Sequence, residues 1–329
     1  MPSRKLKIFV LLCIGALTTA TLRAESKVPD EATAAFTAGE YGRAIEILNR
    51  AAISAPRDAA IEHLLARCYY EDEQFDRAIP YAEKAVSLDP QNSQYHELLG
   101  RLFGEKADRS GWFSALSLAK KARKEFETAV QLDERNFSAM QSLIEFDCSA
   151  PSMAGGGEDK ARPEIERLSA LDAAQGHYAA GNCRRQKKDN EAADREFRKA
   201  LALHPKSIDL IYDIGDHYMK HNQPEGLHLV LEEGERVAPN DLRGKFYRAA
   251  YFAMEKKDQV EATKLLREYL AKAPKRNNYP NRAIVHYWLG RIEENQNDAT
   301  SAKREYKEAL NLEPKNRFAA EALKRLQHD

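Results

Sequence analysis

Phe75-Asp76-Arg77-Ala78-Ile79, with Ala82, Ala85 and then Leu88-Asp89-Pro90 behind it, is the stretch on which the fold turns. Thirty-four residues earlier the chain reads Tyr41-Gly42-Arg43-Ala44-Ile45, then Leu48, Ala51 and Pro56. The frame returns at Ala193, Phe197, Ala200 and Pro205, at Leu227, Leu231 and Pro239, and at Ala262, Leu266 and Pro274. Its last copy is Ala302, Tyr306, Ala309 and Pro314. A second frame runs upstream of these: Leu65-Ala66 before Tyr69, Leu99-Gly100 before Phe103, Ile214-Gly215 before Tyr218, and Leu289-Gly290. Self-similarity at a fixed period of this size marks a stack of identical supersecondary units.

Each slot has a physical reason. Small residues such as Gly100, Gly215, Gly290, Ala44, Ala78 and Ala302 let two antiparallel helices approach closely, and Tyr69, Phe103, Tyr218, Phe126, Phe197 and Tyr306 fill the space between helices. The proline closing a unit cannot continue a helix interior, so it marks the turn into the next unit. A pair of helices cannot bury its apolar face alone, and stacked neighbours supply the missing core.

The pattern resembles the tetratricopeptide repeat family over nearly the whole chain after its N-terminal segment. The resemblance implies an all-α, right-handed superhelical solenoid of about eight helix-turn-helix units. They span roughly 25–58, 59–92, 93–136, 137–173, 174–207, 208–241, 242–276 and 283–316. A capping helix is expected over 317–329, with Phe318, Ala322 and Leu326 inside and Lys324, Arg325 and Gln327 outside.

The first 24 residues read differently. Arg4, Lys5 and Lys7 form a basic start, Ile8 to Leu17 form an apolar run, and small residues follow at Ala16, Thr18, Thr19 and Ala20. The run is short for a membrane span of ~20 residues and has the length of a secretory signal's apolar core. A signal peptide over 1–24, cleaved after Ala20 or Ala24, is expected, which sends the protein to the periplasm or outside the cell. An uncleaved anchor is the alternative, and lipidation at Cys13 is disfavoured because Leu12 stands where a small residue is wanted. The chain has 51 basic and 51 acidic residues; taking away the segment's four bases leaves 47 against 51, a charge of −4. A mildly acidic body argues against general nucleic-acid binding. No other stretch is apolar enough to span a membrane. Cys68, Cys148 and Cys183 are an odd set with no zinc spacing. They read first as small buried hydrophobes, with a Cys148–Cys183 bridge between neighbouring units as the alternative.

Two adjacent units break the frame between their first helix (A) and second helix (B). The third carries about ten extra residues around Gly104–Ala119, including Trp112 and Phe113, and the fourth about five around Cys148–Lys160, including Met153. All A-to-B connections of a solenoid emerge on one edge, so Trp112, Phe113 and Met153 are expected to form one patch, and loops on a rigid scaffold commonly bind. Gly155-Gly156-Gly157 before a helix start could cradle an anion, but Glu158 and Asp159 occupy the first turn and no phosphate-loop Lys-Ser/Thr follows. A flexible inter-helix loop is the plainer reading.

The A helices should line the concave wall. One register along them carries Tyr178, Tyr212, Tyr247 and Tyr287 in consecutive units; a turn onward stand Asn182, Asp216, Tyr251 and Arg291, and nearby Tyr70 and Arg185. Tyrosine offers a large rigid contact with a hydrogen-bonding tip, so this ladder would suit an extended peptide or a partner's helix, or stack sugar rings. Packing between repeats is the competing role. Some members of the family grip a C-terminal carboxylate with Lys and Asn at these positions. Here Tyr178 and Tyr212 replace the Lys and only Asn182 remains.

His217 and His221 lie one helical turn apart with Asp213 a turn before, a weak ligand set without the glutamate of His-Glu-x-x-His. A solvated stripe near a helix end is the expected role. No nucleophile elbow, phosphate loop or paired-cysteine motif is visible, so no catalytic residue, metal or cofactor is expected. The reading is a non-catalytic scaffold or adaptor of the bacterial cell envelope that binds a protein or peptide in its groove. The alternatives are a carbohydrate-binding module on the tyrosine ladder and a metal-dependent enzyme centred on His217/His221.

Overall fold

A computed structural model describes residues 28–328, so the N-terminal segment expected as a signal lies outside the described residues. Among the described residues there are seventeen α-helices and no strand. They run as consecutive A/B pairs. The first two pairs are α1 (Asp30–Thr37) with α2 (Tyr41–Ser54), and α3 (Ala59–Glu71) with α4 (Phe75–Leu88). Next come α5 (Ser93–Asp108) with α6 (Trp112–Leu132), and α7 (Phe137–Ser149) with α8 (Glu158–Leu171). The regular second half pairs α9 (Ala173–Gln186) with α10 (Asn190–Ala202), α11 (Ile208–Lys220) with α12 (Pro224–Val237), and α13 (Leu242–Glu255) with α14 (Gln259–Lys272). The last pair is α15 (Arg282–Asn295) with α16 (Ala299–Leu312), and α17 (Arg317–His328) follows it.

Local chemistry sets these boundaries. Two residues after the proline that ends a unit stands a side chain that caps the next A helix. Asp58 accepts from Ala60 N–H, Asn92 from Gln94, Ser207 from Leu210, Asp241 from Arg243, and Asn316 from Ala319. Such caps satisfy amide donors that the first helical turn leaves without a partner. Five of the regular A-to-B turns use one residue with left-handed backbone, Gly39, Glu73, Lys188, Asn222 or Asn297, and the α13–α14 turn uses two, Lys256 and Asp258. Helices then close on the small slots. A Cβ added at Gly100 would stand 2.6 Å from the Phe126 ring, and one at Gly290 would overlap the ring of Tyr306.

The irregular units resolve in two ways. The third-unit insertion is not a loop: it lengthens α5 to 16 residues and α6 to 21, joined by Arg109-Ser110-Gly111. The fourth-unit insertion is a connection with one short 3₁₀ turn at Ser152–Ala154, tied down rather than flexible. Gly157 N–H donates to the Asp147 carbonyl at 2.8 Å, and Lys160 donates to the Gly155 carbonyl. The buried Asp147 carboxylate accepts from Arg123 of α6 at 2.9 Å, which links the two insertions. Cys148 and Cys183 form a disulfide, with Cα atoms 5.4 Å apart, between neighbouring A helices; both leave the role of free core cysteines to Cys68. In α17, Ala319 and Ala322 enter the core, while Phe318 turns away from its expected inside position and meets the Tyr287 ring at 5.7 Å.

Candidate functional site

The A helices face a common cavity of about 2670 Å³. Its wall takes residues from α3 through α15, and α17 closes one end of it. The segment between α14 and α15 bends back across it to the first two units. Tyr41 Oη donates to the Lys275 carbonyl, Lys275 Nζ meets Asp72 at 2.8 Å, and Asn277 N–H donates to Glu71 at 2.9 Å. Gly39 lies so close beneath that an added Cβ would stand 2.9 Å from Lys275 N. The other side of the segment is held by the second half: Asn278 donates to Asp209 at 3.0 Å and Tyr269 Oη to the Pro280 carbonyl at 2.9 Å. The chain therefore meets itself, and the groove becomes a ring.

Tyr178, Tyr212, Tyr247 and Tyr287 do line this wall, yet each is nine-tenths buried or more. Tyr212 and Tyr247 stack with centroids 4.6 Å apart and planes 11° apart. Tyr247 Oη donates to the Tyr212 carbonyl at 2.9 Å and to Asp216 at 3.0 Å. Tyr178 Oη donates to Asp213 at 3.0 Å, and Arg291 donates to Tyr287 Oη at 3.0 Å. The expected ladder of free rings is thus a backing layer, with hydroxyls fixed and no ring face open for a sugar between Tyr212 and Tyr247. The rings of one unit are covered by the next unit of the stack, which sequence register does not measure.

What stands in front of the tyrosines is polar. Asp213 takes Arg185 at 3.0 Å as well as Tyr178. Arg101 donates to Tyr70 Oη at 3.0 Å. Glu145 and Asp216 are open to the cavity but ringed by protein. Confinement, and then the neighbouring Asp213 charge, raises the Glu145 carboxyl above its ordinary range and pushes Asp216 up to about 7. Arg243, 3% exposed, joins Asp209 at 2.6 Å and Asp241 at 2.7 Å, and its guanidinium lies over the rings of Tyr212 and Tyr279. These interactions, with desolvation opposing them, hold its pKa above the ordinary value.

Other expected residues fall elsewhere. Tyr251 stacks on His228 of α12, off the cavity wall, and Asn182, Arg185 and Arg291 do not line the cavity either. Trp112 and Met153 sit at the cavity edge and are well exposed, while Phe113 points outward, 89% exposed. His217 is not in a solvated stripe: it is 1% exposed, packed edge-on against Phe197 and Tyr218, and burial lowers its pKa to about 4. Among the described residues neither of its ring nitrogens has a hydrogen-bond partner, and Asp213 points to the cavity instead. Among the described residues no three His, Cys, Asp or Glu side chains group as metal ligands. Sequence reading missed Glu145, Arg243 and the 273–281 segment; the excess length between the seventh and eighth units was the available sign of the last.

Models of the tetratricopeptide repeat match residues 35–102 and, with a second model, residues 174–207 and 283–316. No curated protein matches the sequence. Among solved structures, a tetratricopeptide repeat protein from Parabacteroides merdae is 13% identical, with 91% of this chain and 96% of that one covered and a TM-score of 0.43. A thermophilic repeat protein of Thermus thermophilus is 17% identical over 58% of this chain and 96% of its own, with a TM-score of 0.47. The APC/C hetero-tetramer Cut9–Hcn1 is 13% identical over 90% of this chain and 54% of that chain, with a TM-score of 0.49.

Proposed function

From the premise that this chain is a tetratricopeptide repeat protein, we propose that it is an exported, non-catalytic adaptor that holds an extended peptide or a helix of a protein partner inside its ring. The observation that carries this reading is the cavity itself. Its wall presents fixed hydroxyls and carboxylates over a rigid aromatic layer, and the 273–281 segment encloses it. Such preorganisation lowers the ordering cost of binding. Trp112 and Met153 extend the contact at the cavity edge. Export is supported by the basic start and apolar run of residues 4–17, and by the Cys148–Cys183 bond, which suits an oxidising compartment. Fixed groups with hydrogen-bond partners inside the wall favour holding over transforming.

Glu145→Arg tests the cavity, because this side chain faces the cavity's open space and gives up one hydrogen bond, from Gln186. The wild-type chain and the variant would be used to capture partners from cell-envelope extract. A partner retained by the wild type and lost, with helicity unchanged, from the variant supports the reading. Equal retention by both would remove the cavity from the account.

A further inference from the structure

We propose that the tip of α6 and the adjoining 3₁₀ turn form an edge that binds the surface of an anionic lipid bilayer. The first fully buried residue of α6 is Ala122; before it Ala115, Leu116, Leu118 and Ala119 are half-buried, and Trp112, Phe113, Ser114 and Ser117 are exposed. At 1.5 Å per residue Trp112 lies about 15 Å from Ala122 along the helix. Its end carries Trp112, 64% exposed, and Phe113, 89% exposed; Met153, 56% exposed, stands on the 3₁₀ turn, which is held beside the same helix near Arg123. The other most exposed apolar side chains, Ile53 and Val260, stand on different helices far along the chain.

The charge behind the tip matches a lipid surface. Lys120 and Lys124 lie on the Phe113 face of the helix, seven and eleven residues on, with Lys121 beside them, and all three are exposed. None of the three forms an ion pair among the described residues, whereas Lys106, Arg109 and Arg123 are matched by Asp76, Glu73 and Asp147. The acids at the end of α5, Glu105 and Asp108, line the cavity. An apolar tip seated about 5–10 Å into the headgroup boundary would leave Lys120, about 10 Å behind Phe113, at the level of the lipid phosphates. Lysines in that layer are drawn to negative lipid, and their long stems let the ammonium groups reach the phosphates. Three apolar side chains on a narrow projection fall well short of the roughly 800 Å² per partner of a stable protein interface, which favours lipid over a protein partner here. Trp112 and Met153 also border the cavity, so the test reads vesicle binding directly and does not depend on what fills the cavity.

The protein carries its own reporter. Of its two tryptophans, Trp288 is 2% exposed, so a change in emission on binding reads Trp112. The full chain would be mixed with vesicles of phosphatidylcholine alone and with phosphatidylglycerol added. Because Ile8–Leu17 can enter a bilayer by itself, the measurement is repeated on the chain beginning at Glu25 and on variants of the full chain. Flotation with the anionic vesicles, a blue shift of Trp112 emission and loss of both at high salt are expected. Phe113→Ser with Met153→Ser should weaken vesicle binding by about tenfold or more, from the apolar area lost. Lys120→Glu with Lys124→Glu should abolish the preference for anionic lipid. An unchanged Trp112 spectrum on anionic vesicles, or binding of both double variants as tight as that of the wild-type chain, overturns the proposal. A blue shift produced by an envelope protein and not by vesicles overturns it in favour of a protein partner.

Discussion

Tyr212 and Tyr247 lie flat against each other between α11 and α13 with almost no exposure, while Trp112 and Phe113 at the start of α6 project with almost no cover. Both sets are aromatic, and both sit on helices that continue into well-packed interiors. The difference is the neighbour. A tyrosine on an A helix in the regular half meets the next A helix of the stack, whose close approach is set by slots such as Gly215. At the start of α6 no neighbour among the described residues covers Trp112 or Phe113. An aromatic side chain in a solenoid is core or surface according to whether its height along the helix falls inside the repeat, and its chemical type decides neither.

The largest expected effect tests the buried side of that contrast. Tyr247→Ala removes a ring that is 2% exposed and should cost about 3–5 kcal/mol, read from the urea midpoint or thermal transition. Tyr247→Phe removes only the hydroxyl that serves Tyr212 and Asp216, with a loss of about 1 kcal/mol. Phe113→Ser at the exposed tip should stay within about 0.5 kcal/mol of the wild type. If Tyr247→Ala proves as mild as Phe113→Ser, the contrast between the two regions collapses.

A somewhat smaller effect is expected where the irregular first half joins the regular second. Cys148→Ser opens the bond that ties the end of α7 to α9 across a separation of 35 residues. Loop-closure reasoning gives a loss of about 2–4 kcal/mol. Hydrogen exchange should show the loss of protection concentrated in α7, the 3₁₀ turn and α9, sparing the Tyr212–Tyr247 stack. Uniform loss along the chain would mean that the two halves unfold as one unit and that the boundary between them has no energetic meaning.

The fold was legible because its determinants are local and repeated. Pro90-Gln91-Asn92 and Pro239-Asn240-Asp241 each write a helix stop and the next helix cap within three residues, and Gly290 with Tyr306 writes the packing of a pair. The A-helix register also put Tyr178, Tyr212, Tyr247 and Tyr287 on the cavity wall, while Tyr251, expected in the same groove, lies off it. It could not show how deeply the next unit covers them, since that depends on the distance between helices. The return of residues 273–281 to Tyr41 and Glu71 was harder still. Curvature accumulates from a small rotation at every repeat, so a contact more than 200 residues apart leaves no local mark beyond a few extra residues. His217 is expected from the sequence in a solvated stripe near a helix end, and it is buried because its own side of α11 turns toward Phe197.

The finest test lies on the boundary between buried layer and open cavity. Asp216 faces the cavity, accepts from the Tyr247 hydroxyl, and has its pKa pushed up to about 7 by confinement and by the Asp213 charge, with Arg185 and Arg243 acting in the other direction. In the unfolded chain the same carboxyl titrates near the ordinary value of about 3.9. Between these values the folded state holds the proton more tightly, so this group's contribution is full below the lower pKa. It is lost as pH rises through the higher one. Asp216→Asn keeps an oxygen to accept from Tyr247 and removes the titration. The urea midpoint of the wild type should therefore fall relative to that of the variant between about pH 5 and about pH 8, leaving the variant the more stable at the upper value. Groups away from the cavity titrate alike in both proteins, so the difference reads Asp216 together with its coupling to Asp213. A constant difference across the range would mean that Asp216 is solvated like any surface carboxylate. The cavity wall would then be as wet as the tip of α6, and the contrast between the two regions would be confined to the rings behind it.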